Sequence, residues 1–473
     1  MIKPKAGILV FSESLVREDV YKKRKPIAQR ETQKFVKSVS EDIDIVWPTI
    51  REIRSKKQAV KAIAELQGSA VDAVILYVPI FIAPALVAHT ANLLTVPMVL
   101  ASNEAGDSLS QLAFLAVGGA IDQIGLSYMR VPGDSSEEPQ RTAMIQFLRA
   151  AAAKQQLKGQ TFGCIGGRAL GISTGTADVA LWQRIFGVDI EHIDQFEIVR
   201  QAEKIDRADV EKYAAWLKEK TGVLEFNDSN FTPQHLDRQI RSYLATKQII
   251  EHFELDFLGI KCQPEMSNGY CLQCLNVAFC NDPYDADGPK EPKVCSCEAD
   301  ADGALTMQIL KILSGGKPTN LNDIAWMSDT EMTLANCGSM ATYFAGLCDL
   351  PAENLKSLSI LPHVFGDAGG AATVFTVPAG KKMTLARLFR KADKYCLGVL
   401  TGNTVHKDRK AQSDTILTRP LIFIDMNIDK KFFLETFGSN HILGVEGDLK
   451  AELAEFAGLL GIKYYDYDLT VTS

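Results

Sequence analysis

The chain has no surplus of basic residues. Its 51 Lys and Arg stand against 58 Asp and Glu, a net charge of −7, which excludes nucleic acid and anionic membrane surfaces as main partners because both require a basic footprint. An uninterrupted apolar run of membrane-spanning length is also missing. The longest apolar region, Val71 to Leu100, is broken by Pro79, Pro84 and Pro97 and contains Asp72, His89 and Asn92, so it reads as strand, helix and strand rather than as a bilayer span. Nothing resembles an export signal: after Lys3, Lys5 and a short apolar stretch come Ser12, Glu13 and Ser14, where a signal peptide would still be apolar. A cytoplasmic location is the expectation. Ten cysteines in 473 residues are too sparse for a disulfide framework, and free thiols are expected.

The length exceeds one ordinary core and points to roughly three domains. From Gly7 to Val131, short apolar strands alternate with amphipathic helices, the pattern of a parallel sheet covered on both faces. A second unit of the same kind begins with the strand Thr161–Ile165 and continues through Phe257–Cys262, Val294–Cys297 and a helix from Gly303 to Leu313. After about Thr330 the character changes. Short β-prone runs at Ala372–Val377, Met383–Leu388 and Leu397–Leu400 lie between Gly and Pro punctuation, suggesting a small antiparallel sheet or barrel. The predicted fold is α/β: two doubly wound domains with parallel sheets, residues 1–158 and 159–329, then a smaller, mainly antiparallel, barrel-like β domain over 330–473.

The glycine cluster Gly163–Gly171, with Gly166 and Gly167 adjacent and Arg168 next, satisfies neither G-x-G-x-x-G nor the P-loop ending. It reads as a tight turn needing positive φ, whose amides and Arg168 could still meet a polar ligand. Cys271, Cys274, Cys295 and Cys297 resemble a zinc-ribbon set, but the second pair has one intervening residue, and buried inert thiols are the plainer reading. Carboxylates at strand ends are more informative. Glu298 follows the Val294–Cys297 strand and Asp323 opens Asp323–Met327 after a Gly-Gly-Lys-Pro turn. Ligand sites in open α/β sheets gather at such ends. With a histidine, the two would suit a hard or borderline divalent cation. Asp300 and Asp302 read as first-turn acids of the next helix. Composition does not choose among the seven histidines; His441 precedes an apolar strand, and His363 sits in a Pro-His-Val-Phe-Gly-Asp loop.

The run GGRALGISTGTADVALWQRIFGVDIEHIDQFEI, Gly166 to Ile198, resembles the second domain of L-fucose isomerase and its relatives. The resemblance continues through NDPYDADGPKEPKVCSCEADADGALTMQIL, LNDIAWM and SNHILGVEGDL. It implies a ketol-isomerase of the L-fucose/L-arabinose isomerase kind that holds Mn²⁺, or another divalent cation, through Glu298, Asp323 and His441. The carboxylates would lie in the central domain and the histidine in the C-terminal one. Glu298 and Asp323 become the candidates for proton transfer at C2 and C1. The resemblance further implies Gln263, Ser339 and Asn440 as substrate contacts, with Arg168 beside them. It also implies a monosaccharide substrate of the L-fucose, D-arabinose or L-arabinose type, and a homo-oligomer, commonly a hexamer.

Alternatives remain beside it. An anionic sugar, a sulfo- or phospho-hexose such as sulfoquinovose, would need a basic pocket, for which Arg168, Lys261 and His363 are the available groups. A non-catalytic sugar-binding protein of the same fold would be expected to have lost a metal ligand. A zinc-stapled interaction protein would bind zinc through the four cysteines named above.

Overall fold

The strands form where aliphatic and β-branched residues run together between polar turns, and the computed structural model places them in two units, Ile2–Gln155 and Gln156–Ser473 with Met1. The structure describes residues 1–13, 17–227, 229–409 and 419–469. In the first unit, β1 (Lys5–Val10), β2 (Asp44–Val46), β3 (Ala73–Tyr77), β4 (Met98–Ala101) and β5 (Met129–Val131) make one sheet in the order β2-β1-β3-β4-β5. All its pairings are parallel. β3 and β4 are buried along their whole length, as expected of strands covered on both faces. Leu9, Val74, Leu76 and Leu100 pack with Ile63, Val87 and Val117 from the covering helices. The region Val71–Leu100 is thus strand, helix and strand, and among the described residues no helix is long and apolar enough to cross a membrane.

The second unit starts with β6 (Thr161–Ile165), β7 (Asp189–Ile193), the short β8 (Val223–Leu224), β9 (Phe257–Ile260), the hairpin β10 (Tyr284–Asp285) and β11 (Gly288–Pro289), and β12 (Cys295–Cys297). β12, β9, β6 and β7 form a second parallel sheet in that order. The chain leaves β6 toward one side and returns for β9 on the other, which opens a crevice at the carboxyl ends of β6 and β9.

The rest is largely antiparallel. β13 (Asn320–Met327), β14 (Glu331–Ala335), β15 (Ser359–Pro362), β16 (Ala371–Val374), β17 (Lys382–Lys391), β18 (Lys394–Thr404), β19 (Leu421–Asp425), β20 (His441–Glu446) and β21 (Lys463–Asp466) follow in order. Seven of them lie as β17-β20-β13-β14-β19-β18-β21, and β17 also pairs with β18, closing six strands into a ring. Only the β18–β21 pairing is parallel. The expected α/β class with two parallel sheets and a barrel-like C-terminal sheet is what forms. β15 joins β16 and β8 in a separate three-stranded sheet.

The helix Ala301–Ser314 lies between the parallel sheet and the ring, against β9, β12, β17 and β20. Nearly every one of its side chains is buried, among them the polar Asp302, Thr306, Gln308 and Lys311, as happens to a helix enclosed on all sides. It begins at Asp300, whose side chain accepts from the Gly303 amide, and ends at Gly315 in the left-handed conformation. Leu258 and Ile260 of the parallel sheet share one core with Leu334, Leu385 and Ile442 of the ring, so residues at the edges of both sheets are held in fixed register.

Candidate active site

Glu298 is the first residue beyond β12, and the backbone there is unusual: Glu298 and Ala299 have φ of 60° and 51°. Two successive left-handed residues without glycine cost of order 1–2 kcal/mol each. They turn the chain off the strand so that the Glu298 side chain faces the ring while Asp300 starts the next helix. Neighbouring Gly259 in β9 makes room for this turn; a Cβ there would stand 2.4 Å from Ser296 Oγ and 3.0 Å from the Ala299 Cα.

The other two candidates come from the ring. Asp323 lies inside β13 and is paired directly with His441, the first residue of β20. Two expectations are corrected in detail: Asp323 belongs to the antiparallel ring rather than to the central parallel sheet, and His441 opens its strand instead of preceding it in a loop. Their side chains meet because directly opposed residues on antiparallel strands present them on one face.

Glu298 Oε2 and Asp323 Oδ1 each lie 3.4 Å from His441 Nε2. On the other side of the ring, His441 Nδ1 meets Asp300 Oδ2 at 2.7 Å. Asp300 is an acceptor, so Nδ1 carries a proton and Nε2 is the nitrogen turned toward Glu298 and Asp323, where it would be free to ligate only with a cation in place of its own proton. Arg387 of β17, fully buried, grips Asp300 with Nη1 at 2.5 Å from Oδ2 and Nη2 at 3.0 Å from Oδ1. Burial alone would raise the Asp300 carboxyl, but Arg387 and His441 hold it well below the usual carboxylate range. Glu298 is pushed up by burial and by the negative charge around it, against the pull of His441. Burial opposes charge on His441, yet Asp300, Asp323 and Glu298 around it raise its pKa well above the ordinary value. All these directions describe a site short of positive charge.

The donor set fits a divalent cation. Three carboxylates face one guanidinium, so with a neutral imidazole the cluster is two charges negative. Glu298 Oε2 is buried without a hydrogen-bond partner, and a buried carboxylate oxygen is rarely left so. The 3.4 Å separations are long for a charge-assisted hydrogen bond and match the roughly 3.0–3.4 Å between neighbouring donor atoms around an ion bound at about 2.1 Å. Among the described residues no group of three or more His, Cys, Asp or Glu side chains is placed to hold a metal ion as it stands; here two carboxylates face one imidazole nitrogen.

Of the other expected residues, Asn440 donates from Nδ2 to Asp323 Oδ1 at 3.4 Å. Gln263 lines a cleft with Glu298, Leu272, Cys297, Cys337 and His363. Ser339 is nearly buried and donates to Asn336 Oδ1 at 3.1 Å, a loop role. Arg168 follows the left-handed Gly166 and Gly167 at the carboxyl end of β6, exposed, with Nη1 3.3 Å from Ser173 Oγ. Lys261 is taken by Glu265 at 2.6 Å, and burial lowers the His363 pKa. The four cysteines of the zinc reading are divided: Cys271 meets Ser242, Cys295 is beside Cys280, and Cys274 and Cys297 both approach Cys337.

Asp300 and Arg387 were not expected. The reading of Asp300 and Asp302 as first-turn acids holds, since Asp300 caps the helix. That signal hid the rest: Asp302 also accepts from Tyr395 at 2.8 Å and Trp182 at 3.2 Å. A lone Arg in the apolar run Met383–Leu388 was the one available sign of a buried ion pair.

Comparison with known proteins fits this geometry. Residues 334–468 match the family model of the L-fucose isomerase C-terminal domain. A sulfoquinovose isomerase of Clostridium sp. (strain MSTE9) is 24% identical over 341 residues, covering 70% of each chain. The chain is a distant homologue of the sulfoquinovose and L-fucose isomerases. A second sulfoquinovose isomerase, from Alkalicoccus urumqiensis, is 24% identical over 340 residues and 70% of each chain. An L-fucose isomerase of Vibrio vulnificus (strain YJ016) is 22% identical over 41% of this chain and 38% of its own. The matched residues 334–468 include His441, Arg387 and most of the ring.

Proposed function

We propose that the protein is a metal-dependent aldose–ketose isomerase acting on an open-chain sugar, and that the sugar carries a sulfonate. The convergence of Glu298 and Asp323 on His441 Nε2, with Glu298 Oε2 unpartnered, supports the isomerase reading. The two sulfoquinovose isomerases, matched over more of the chain than the L-fucose isomerase, support the anionic substrate over the neutral sugar first expected. All three expected ligands are present, which disfavours a non-catalytic binding protein.

Glu298, Asp323 and His441 would hold the divalent ion. A bound ion would supply positive charge to stabilise the negative charge that develops on the sugar's oxygens as the C2 proton leaves. The protein's groups do the rest. Asp300 and Arg387 keep the imidazole from rotating, and the turn at Glu298 and Ala299 fixes the carboxylate. One of the two carboxylates takes the C2 proton as the C1–C2 double bond of the enediol forms and O1 takes a proton from water. The hydroxide so formed removes the O2 proton as the carbonyl forms, and the carboxylic acid returns the carried proton to C1. Asn440 steadies Asp323, and Gln263, which lines the same cleft as Glu298, would offer its amide to a sugar hydroxyl. Arg168 is the cation left for a sulfonate, because Lys261 is engaged by Glu265 and His363 is buried.

The test is direct. The protein is stripped of metal, Mn²⁺ is restored, and neutral and sulfonated aldoses are followed by NMR in D₂O. Ketose formation that requires Mn²⁺, with deuterium entering at the exchanging carbon, is expected for the sulfonated hexose. Turnover of neutral aldoses alone would return the substrate to the L-fucose type. Silence across the panel would reject the isomerase.

A further inference from the structure

The cleft beside Glu298 holds a thiol pair for which the isomerisation has no use. Cys297, at the end of β12, and Cys337, in the loop after β14, are forty residues apart in sequence, yet their sulfurs are 3.0 Å apart. A disulfide requires about 2.05 Å, so closure takes about 1 Å of movement. Cys337 is partly exposed and Cys297 is buried behind it. Cys274 is a second thiol neighbour of Cys337, with Sγ 3.8 Å from its carbonyl, but Cys297 is the one whose sulfur stands 3.0 Å from that of Cys337. Cys297 also immediately precedes Glu298, whose left-handed backbone is held by its surroundings.

We propose that Cys337 and Cys297 are a peroxide-oxidised pair whose disulfide displaces Glu298 from His441. The Cys337 sulfur attacks one oxygen of hydrogen peroxide: an S–O bond forms, the O–O bond breaks, and the departing hydroxide takes the thiol proton as water. The Cys297 sulfur then attacks the sulfenyl sulfur of Cys337. An S–S bond forms, the S–O bond breaks, and the hydroxyl leaves with the second thiol proton as a second water. Two thiols lose two electrons and the peroxide gains them. The new bond ties the end of β12 to the loop beyond β14 and pulls on the residue between Cys297 and Ala299. The effect on turnover rests on the isomerase reading; the cross-link does not.

The reduced protein is treated with hydrogen peroxide, alkylated, and mapped by mass spectrometry without reduction. Peptides containing Cys297 and Cys337, joined with loss of two hydrogens, are expected, with turnover falling at least 10-fold in step with the linkage and both reversed by dithiothreitol. Cys337→Ser should give no cross-link, whereas Cys274→Ser should still give it. No linkage, or Cys337 joined to Cys274, overturns the pairing. Linkage with turnover unchanged overturns the displacement of Glu298. Protein inactive on every sugar before oxidation rejects the isomerase reading, and the wild-type map still decides the thiol pair.

Discussion

Asp300 accepts from the Gly303 amide, from His441 and from Arg387, and each of these partners favours its negative charge. Asn at this position keeps a helix-capping oxygen but loses the charge. Arg387, fully buried, would then stand uncompensated, a defect that costs about 3–5 kcal/mol. Asp300→Asn is therefore expected to lower the melting temperature of the metal-free protein and to weaken Mn²⁺ binding by roughly 10- to 100-fold, the usual effect of losing a carboxylate behind a ligating histidine. A thermal melt and a Mn²⁺ titration check both parts; unchanged affinity would remove Asp300 from the support of His441. Arg168 makes the opposite kind of prediction. Being exposed, with Ser173 as its hydrogen-bond partner among the described residues, it contributes little to folding, and Arg168→Gln should leave the melting temperature within about a degree, as for most surface changes. A charge-assisted hydrogen bond to a sulfonate is worth about 1.5–3 kcal/mol, so kcat/KM for the sulfonated sugar should fall about 10- to 100-fold, mainly through KM. An equal fall for neutral sugars would place Arg168 elsewhere.

Strands and helices locate these residues, and their legibility in the sequence follows from burial. Thr161–Ile165, Phe257–Ile260 and Met98–Ala101 stood out because parallel strands covered on both faces are continuous apolar runs. Of β13 only Asp323–Met327 did, for its sequence NLNDIAWM opens with buried Asn320 and Asn322, mixes them with exposed Trp326 and carries an irregularity between Ile324 and Trp326. Polar residues inside a strand of the ring are affordable only because Asn322 and Asp323 find partners across it, and such partners are invisible in one segment read alone. The pairing of Asp323 with His441 and the approach of Cys297 to Cys337 are long-range facts of the same sort. Motif resemblance, not periodicity, singled out His441. Gly259 shows what an element-scale constraint predicts. Adding one methyl in β9 presses on Ser296 and on the Ala299 backbone, and overpacking of this kind costs about 1–3 kcal/mol. Gly259→Ala should reduce kcat more than 10-fold while KM changes little, because it moves the turn that aims Glu298. A variant with normal kcat would show that the turn absorbs the methyl without shifting the carboxylate.

At the scale of the second unit, the candidate centre joins two sheets. Glu298 and Asp300 leave the end of the parallel sheet, whereas Asp323, His441 and Arg387 belong to the ring. The pair Arg387–Asp300 already crosses that junction, and so does the contact of Asp300 with His441. Without a cation, the remaining excess of negative charge at Glu298 and Asp323 acts against the junction it sits on. A ligand that binds only the folded state stabilises it by RT ln(1 + [L]/Kd), about 2.7 kcal/mol at a hundredfold excess over Kd. Mn²⁺ should therefore raise the melting temperature of the wild-type protein by a few degrees, saturating with concentration, and chelation should reverse the gain. His441→Ala should lose that response even if its own melting temperature is lower, since the comparison is made within each variant. Equal stabilisation of both proteins would mean that the ion binds elsewhere. No stabilisation of the wild type would leave the three side chains as a hydrogen-bonded cluster and remove the metal from the proposed chemistry.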